Sequence, residues 1–286
     1  MPGHIYLQLG DYSTTASTNE AAAAAARKYM ASTGSQGIYS AMYYTHNLHF
    51  IAVARAAQGR YTAAKNAADE MALNVAPMLK EMPMLEAFAV IPLLVEIQVA
   101  KWDAIVKRPQ PARESALYPL WLYGRVLALS AKGSMDEAAL AQLALANVAA
   151  NTPPDVPYGT TNTVKPVMEL AAQAGAAVLA EARHEDNITK WRDAVDLYDK
   201  LLCDEPPAWY YPVRQSYGGA LLRAGRAADA ETAFREALVR NPRDGRLLFG
   251  LLEALKAQKK PGVEAVQREF NAAWKGAEIR LTVAGL

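Results

Sequence analysis

The chain has 286 residues and a mass of 31.0 kDa, a length that suits two ordinary domains or one extended array of repeats. Its 30 Lys and Arg residues nearly balance 29 Asp and Glu residues, leaving a net charge of +1, which excludes the basic field that nucleic acid or an anionic membrane would require. The lone cysteine, Cys203, excludes an intrachain disulfide and a cysteine-based zinc site, and we expect a buried, unreactive thiol. The 57 alanines favour helix and predict an all-α chain.

The amino-terminal residues 1–12 predict part of a first helix, which ends at a turn around Gly10. This stretch has neither the charged region nor the apolar run of a signal peptide, so we expect a cytoplasmic protein. The turn leaves too few residues for a complete helix, and Met1 would then lie in the middle of one. We therefore expect an incomplete first repeat, whose open end could associate with another molecule.

Turns and small residues divide the rest of the chain into helix pairs. Glycine turns around Gly59, Gly133 and Gly225, together with stops at Pro206 and Pro242, predict seven pairs of which the first is incomplete. We expect one residue after each turn to occupy a close-packed position on the second helix of its pair. These residues are Thr15, Ala64, Ile105, Ala138, Ala194, Ala230 and Ala265.

The longest apolar stretch covers residues 84–100. It is interrupted by Glu86, Pro92 and Glu96, so it predicts a buried, kinked helix rather than a membrane span. Further along, residues 151–165 predict a loop rich in Pro, Thr and Asn. We expect one solenoid over residues 1–286, with degenerate repeats over 1–150, this loop, and more regular repeats over 166–286.

The most regular repeats lie near the carboxyl end. Residues 217–238 predict a helix, a turn and a second helix before Pro242, with small and aromatic positions filled by Gly218, Ala230 and Phe234. One repeat earlier the small, aromatic and stop positions are filled by Ala194, Tyr198 and Pro206, and equivalent residues are 36 apart. This pattern resembles the tetratricopeptide repeat. The resemblance implies a right-handed α-solenoid of stacked antiparallel helix pairs with a concave groove.

Three further stretches carry a wider resemblance that spans essentially the whole chain. Residues 1–6, 43–50 and 204–216 resemble a family of bacterial tetratricopeptide-repeat proteins that have no assigned activity. Members of that family usually carry further repeats and more histidine motifs before the segment that matches Met1. The resemblance therefore implies a fold rather than a chemistry, and it makes this chain look truncated.

Three of the four histidines are expected to face one groove. In the repeat register, His46 and His49 fall on the concave face of one inner helix, and His4 falls on the concave face of the preceding one. Neighbouring helices lie roughly 10 Å apart, so the three imidazoles could converge. Imidazole suits zinc, copper or iron, and three histidines with an open position form a catalytic zinc site.

The alternative is that these histidines hydrogen-bond with polar neighbours to line a site for a peptide or a small molecule. Those neighbours are Tyr43, Tyr44 and Asn47. No general base for hydrolysis is identifiable, because the acidic residues nearby in sequence fall on outer helices. The fourth histidine, His184, lies among charged residues at a helix end and is expected to be solvated.

A second candidate binding surface follows the aromatic and proline segment at residues 209–212. The same register places Gln215, Arg223 and, in an earlier repeat, Tyr123 on the concave side, and Tyr211 precedes the inner helix. Arg214 falls at a position that normally packs, so it either pairs with a carboxylate or reaches into the groove to bind an anion. The alternative is that this segment only packs between repeats.

Phosphate-binding glycine loops and the nucleophile-elbow motif are absent from the sequence. The leading hypothesis is therefore a binding module whose concave groove holds a peptide, a protein segment or a small ligand, and neither nucleic acid nor membrane. The alternative is a metal-binding protein or metalloenzyme with His4, His46 and His49 as ligands.

Overall fold

Helices make up most of the structure, as the alanine-rich composition predicts. The computed structural model describes residues 2–34, 37 and 39–286. Its helices are α1 (Pro2–Gln8), α2 (Tyr12–Thr33), α3 (Thr45–Ala57), α4 (Tyr61–Val75), α5 (Glu86–Ala89), α6 (Ile91–Gln98), α7 (Trp102–Lys107), α8 (Leu117–Ala131), α9 (Met135–Asn151), α10 (Val164–Ala182), α11 (Ile188–Tyr198), α12 (Arg214–Arg223), α13 (Ala227–Arg240), α14 (Gly245–Ala257) and α15 (Val263–Ala273). The all-α prediction is confirmed. Met1, on which the prediction of a truncated helix depends, lies outside the described residues.

Short irregular elements connect these helices. A π-helical turn, Tyr39–Tyr44, leads into α3, and 3-10 turns cover Ala76–Met78, Pro83–Leu85 and Val283–Gly285. Between α9 and α10 the strands β1 (Pro157–Tyr158) and β2 (Asn162–Thr163) form an antiparallel hairpin. This hairpin lies within the stretch in which the sequence predicts a loop.

The predicted turns are present where the sequence places glycine. Gly10, Gly59, Gly133 and Gly225 all have φ between 69° and 80°, a region that is costly for other residues. Of the seven predicted close-packed positions, six have no exposed surface: Thr15, Ala64, Ile105, Ala138, Ala194 and Ala230.

The seventh close-packed position is wrong by one residue. Ala265 is exposed, and its neighbour Val266 is buried instead. The reason is that α15 directs an apolar face inward through Val266 and Phe270, which are four residues apart and so share one side of the helix. The apolar face of α15 therefore overrides the register that the preceding repeats suggest.

The apolar run at residues 84–100 folds as a broken helix. A 3-10 turn at Pro83–Leu85 leads into α5 and then α6, and Pro92 lies in the first turn of α6, where a missing N–H costs little. The carboxylate of Glu96 is buried in α6, where Arg108 at 2.9 Å and Lys65 at 3.5 Å neutralise it. Within the described ranges no helix is long and apolar enough to cross a membrane.

Each helix packs mainly on the next one along the chain, and the core is continuous between them. One cluster of buried apolar side chains extends from Ala23 to Ala220, and a second covers Leu221 to Leu286. Phe50 and Phe234 have no exposed surface, and replacing a buried Phe by Ala typically costs about 3–5 kcal/mol. Besides this consecutive packing, some residues that are distant along the chain also come into contact.

These distant contacts bring the first helices against the last part of the chain. The backbone N–H of Glu278 donates to the carbonyl of Gly59 at 2.9 Å, and the Thr62 hydroxyl donates to the Glu278 carboxylate at 2.7 Å. A Cβ added to Gly59 would lie 2.5 Å from the ring of Trp274, and one added to Gly10 would lie 1.9 Å from the carbonyl oxygen of Pro242. These contacts, here called the closing contacts, join the two ends of the array around a central cavity.

Candidate functional site

The central cavity has a volume of about 650 Å³, within the range of small-molecule sites. Its walls come from α1, α3, α6, the β1–β2 hairpin, the segment 198–215 and the start of α14. Apolar side chains predominate in the lining. Those before residue 97, here called the apolar wall, are Leu7, Met42, Ala52, Val53, Ala56, Ala57, Met84, Leu85, Ala87, Phe88, Ile91, Leu94 and Val95. The cavity therefore has the surface character of a site for an apolar molecule.

Polar side chains, here called the polar wall, also line the cavity, and some of them lie on the same helices as the apolar ones. They include Gln8, Tyr12, His46, His49, Gln98, Tyr158, Tyr198, Asp204, Glu205, Tyr210, Tyr211, Gln215, Arg240, Asn241, Asp244 and Arg246. Most of them are uncharged, and burial raises the pKa of the Tyr12 hydroxyl well above its usual range and that of Tyr198 to about 12. Both phenols therefore stay neutral at pH 7 and can donate or accept hydrogen bonds.

His49 is the most unusual polar group in the wall. Burial, reinforced by nearby His46, lowers its pKa to about 3, so the ring is neutral at physiological pH. Its imidazole meets the ring of Phe88 edge to face, with the centroids 5.6 Å apart. It forms no hydrogen bond with any residue in the described ranges. Its ring nitrogens are therefore available to a molecule in the cavity.

His4, His46 and Glu205 form a hydrogen-bonded chain beside the cavity. Nδ1 of His4 bonds to the Glu205 carboxylate, and Nε2 of His4 lies 3.1 Å from Nε2 of His46. Gln8 also donates to Glu205, at 2.7 Å. Burial and the nearby His4 lower the pKa of His46. The carboxylate orients the His4 ring, so that one of the two imidazoles can donate a hydrogen bond to the other.

Glu205 is a residue that sequence reasoning missed. It is 201 residues from His4, and the only acidic residues considered were close in sequence. The sequence identified no general base beside the histidines, because local patterns cannot place a carboxylate so distant along the chain. The signal that could have found it is the segment 204–216, which carries the family resemblance together with residues 1–6, the stretch that contains His4.

The described residues do not assemble the predicted three-histidine metal site. His4 and His46 come together, but His49 packs against Phe88 instead. In this part of the chain no group of three or more His, Cys, Asp or Glu side chains could hold a metal ion. Two imidazoles do not supply the three protein ligands of a catalytic zinc site, so we derive no chemistry through a metal.

The first set of predicted ligand-binding residues lies outside the cavity wall. Tyr43 is 61% exposed and stacks loosely on Tyr39 instead. Tyr44 is buried, and its hydroxyl bonds to Glu70 and accepts from Arg27 at 2.7 Å. Asn47 is partly buried away from the cavity. The π-helical turn before α3 rotates Tyr43 and Tyr44 out of the register that a regular helix would give them.

The second predicted surface is divided. Tyr211 and Gln215 line the cavity, and the Tyr211 hydroxyl accepts from Ser216 at 3.1 Å. Tyr123 is buried in the core, 3.3 Å from the hydroxyl of Tyr210. Its place in the groove is therefore not supported, because large aromatic side chains fill the space between the helices.

Neither predicted arginine of that surface reaches the cavity. Arg214 forms two parallel hydrogen bonds of 2.7 Å with Asp199 and a third with Glu236, which is the carboxylate-pairing alternative. Arg223 bonds to Glu181 and donates to the carbonyl of Val283 at 2.8 Å. Both guanidinium groups are already satisfied by the protein.

Two cavity residues were either missed or wrongly placed. Arg246 lies in the wall but carries no motif that singles it out. Cys203, expected to be buried, is exposed at the cavity, because the segment after α11 leaves the helical packing and follows the cavity edge. His184 is exposed at a helix end, as expected.

No family model matches the chain, and no curated protein shows significant similarity to it. The tetratricopeptide-repeat resemblance therefore stays a prediction from the residues themselves, and the cavity is the feature from which a function must be argued.

Proposed function

We propose that the chain is a helical repeat protein of the tetratricopeptide type that binds a small, largely apolar ligand in its central cavity. The observation that carries the proposal is a cavity of about 650 Å³ whose lining is mostly apolar and also includes polar side chains. Burial of apolar ligand surface would supply most of the affinity, at roughly 25 cal/mol per Å². The neutral His49 would orient the ligand by one hydrogen bond.

The repeat architecture rests on two features. The described helices form seven successive packed pairs, α1–α2, α3–α4, α6–α7, α8–α9, α10–α11, α12–α13 and α14–α15. A Cβ added to Gly218 would lie 2.6 Å from the ring of Phe234, which fits the small and aromatic positions of the repeat. Stacking of such pairs would form a right-handed solenoid.

A small ligand is favoured over a peptide because the closing contacts limit the length of the groove. A peptide in extended form needs a groove that stays open along its direction. Here the Gly59 carbonyl bonds to the backbone of Glu278, and Glu205 bonds to His4 and Gln8. A compact molecule matches the space between these contacts better.

The binding proposal is tested with N-phenyl-1-naphthylamine, an uncharged apolar probe that fluoresces in apolar surroundings. We expect saturable binding of one probe per chain. The Val53→Trp variant would fill the apolar wall and lower the affinity about tenfold or more, whereas Leu73→Trp on the exposed side of α4 would leave it unchanged.

Circular dichroism and thermal unfolding would show that both variants are folded. If Val53→Trp is unfolded, Ala57→Leu provides a smaller filling of the same wall. An affinity that is equal in the wild type and in a folded cavity-filling variant would contradict the proposal, as would the absence of saturable binding.

A further inference from the structure

Arg246 is a buried cation in the cavity wall that the protein does not neutralise directly. It lies in the first turn of α14 and is 6% exposed. Nη2 donates to the carbonyl of Gln98 at 2.7 Å, while Nε has no hydrogen-bond partner among the described residues. No carboxylate in this part of the chain forms an ion pair with it. The guanidinium otherwise faces the ring of Trp274, 5.7 Å from the ring centroid.

Asp244 is the nearest acidic residue, but it is engaged elsewhere. Its carboxylate caps α14 and accepts from the backbone N–H groups of Arg246 and Leu247 at 2.9 and 3.0 Å. Burial raises the pKa of Asp244 and lowers that of Arg246, and the attraction between the two charges offsets only part of each effect. An arginine desolvated in this way loses free energy unless an anion reaches it.

The other charged side chains of the wall do not compete for this role. Arg240 is the only other cation among the described wall residues, and it is 64% exposed and paired with Asp199 at 3.0 Å. Asp204 is engaged by Thr160, and Glu205 by His4 and Gln8. The polar wall therefore offers one buried positive charge to an occupant of the cavity.

Resting on the proposed function, we infer that the natural ligand is an apolar monocarboxylate whose carboxylate binds Arg246 while its apolar part packs on the wall formed by α3 and α6. A single buried guanidinium matches one negative charge and forms charge-assisted hydrogen bonds with a carboxylate. A phosphate, with its greater charge, would need further cations that this wall does not provide.

The experiment compares decanoate with 1-decanol, which share a ten-carbon chain and differ in charge. Each displaces N-phenyl-1-naphthylamine at pH 7.5, and the ratio of the two affinities is measured. We expect the wild type to bind decanoate at least tenfold more tightly than decanol. Arg246→Gln removes that preference, Arg246→Lys keeps part of it, and Arg226→Gln, at an exposed arginine outside the cavity lining, is the matched control that keeps all of it.

The outcomes separate this inference from the proposal on which it rests. If decanol and decanoate bind the wild type equally, or if folded Arg246→Gln keeps the preference, Arg246 does not select the ligand, although the cavity still binds. If the naphthylamine probe does not bind at all, the proposed function itself fails. Should Arg246→Gln be unfolded by circular dichroism, the wild-type ratio and Arg246→Lys decide: a preference that is smaller in the folded Lys variant than in the wild type assigns it to the guanidinium, and an unchanged preference overturns the inference.

Discussion

Burial determines the charge of the two cavity histidines. His49 is partly buried, and its ring donates no hydrogen bond to any of the described residues. The protonated form of His49 is therefore strongly disfavoured. Burial and the nearby His4 also lower the pKa of His46, and Glu205 offsets part of this effect. Both rings are therefore held neutral in the folded chain at pH 7, and each can act as a hydrogen-bond donor or acceptor.

We predict that the protein loses stability as the pH falls from 6.5 towards 3. The folded-state pKa of His49 is about 3, below its ordinary value of 6.5, so in this window the unfolded chain binds a proton that the folded chain does not. The loss from His49 is about 2 kcal/mol at pH 5, since each pH unit corresponds to about 1.4 kcal/mol. Above pH 6.5 this term is constant.

Thermal unfolding at pH 7.5 and at pH 5 measures this effect. The decrease in Tm between the two values should be several degrees smaller in His49→Gln than in the wild type. His184→Gln, on the exposed surface, should behave like the wild type. An unchanged decrease in His49→Gln would show that other groups cause the acid sensitivity.

Single residues also show how far the sequence could be interpreted. The repeat register placed Gln215, Tyr123 and Arg223 on the concave side, and of these only Gln215 lines the cavity. It left two roles open for Arg214, because a register gives the direction of a side chain but not its partner. The role of Arg246 could not be predicted from the sequence, because it depends on the lack of an ion pair with any of the described residues.

The stability of helix α1 depends on contacts with other parts of the chain. It has only seven residues, too few to be stable alone. Its polar side is held by Glu205 through His4 and Gln8, and Asn19 of α2 lies against Gly3. The position of α1 over the cavity therefore depends on a carboxylate from the far end of the chain.

We predict that Glu205→Ala loosens α1 while leaving the rest of the fold intact. Loss of two hydrogen bonds to a charged group should raise the exchange rate of the α1 amide hydrogens about tenfold or more. Hydrogen exchange followed by mass spectrometry measures this rate, and Glu185→Ala, an exposed acid without a side-chain partner in the described ranges, is the control. Equal protection of α1 in the two variants would contradict the assignment.

The boundaries of the elements were largely predictable because they depend on local chemistry. Glycine turns followed by a buried position recur along the chain from Gly10 through Ala230, although their spacing is irregular. The π-helical turn at Tyr39–Tyr44 and the inward face of α15 were not predictable from that spacing. In both places tertiary packing determines which side of the helix is buried.

On the scale of the whole molecule, the closing contacts hold early and late parts of the chain together around the cavity. Gly59 is central to them, because its backbone accepts from Glu278 and its lack of a side chain makes room for Trp274. Gly133 has a similar positive φ, but nothing lies within 4 Å of a Cβ added there. Comparing substitutions at the two glycines therefore distinguishes the effect of backbone strain in the turn from the effect of losing the closing contacts.

We predict that Gly59→Ala weakens both stability and probe binding more than Gly133→Ala does. Both variants incur the cost of a positive φ, about 1–2 kcal/mol, but only Gly59→Ala displaces Trp274. Its Tm should fall further, and its affinity for N-phenyl-1-naphthylamine should fall with it. Similar changes in the two variants would show that closure contributes nothing to the cavity.

The cavity as a whole could not be predicted from the sequence. The repeats suggest a concave surface, but its closure depends on pairs such as Thr62 with Glu278, which are 216 residues apart. Local patterns carry no information about which turn of an array meets which. In the proposed solenoid, curvature would accumulate from small rotations between successive helix pairs, which depend on packing along the whole chain.

The same separation gives the protein a late step in its synthesis. A ribosome adds about 5–20 residues per second, so roughly 10–40 s pass between the emergence of Thr62 and that of its partner Glu278. During that interval the early helix pairs can pack on one another, yet the apolar wall on α3 and α6 remains uncovered. For most of its synthesis, the nascent chain therefore exposes to solvent the apolar surface that lines the cavity in the finished protein.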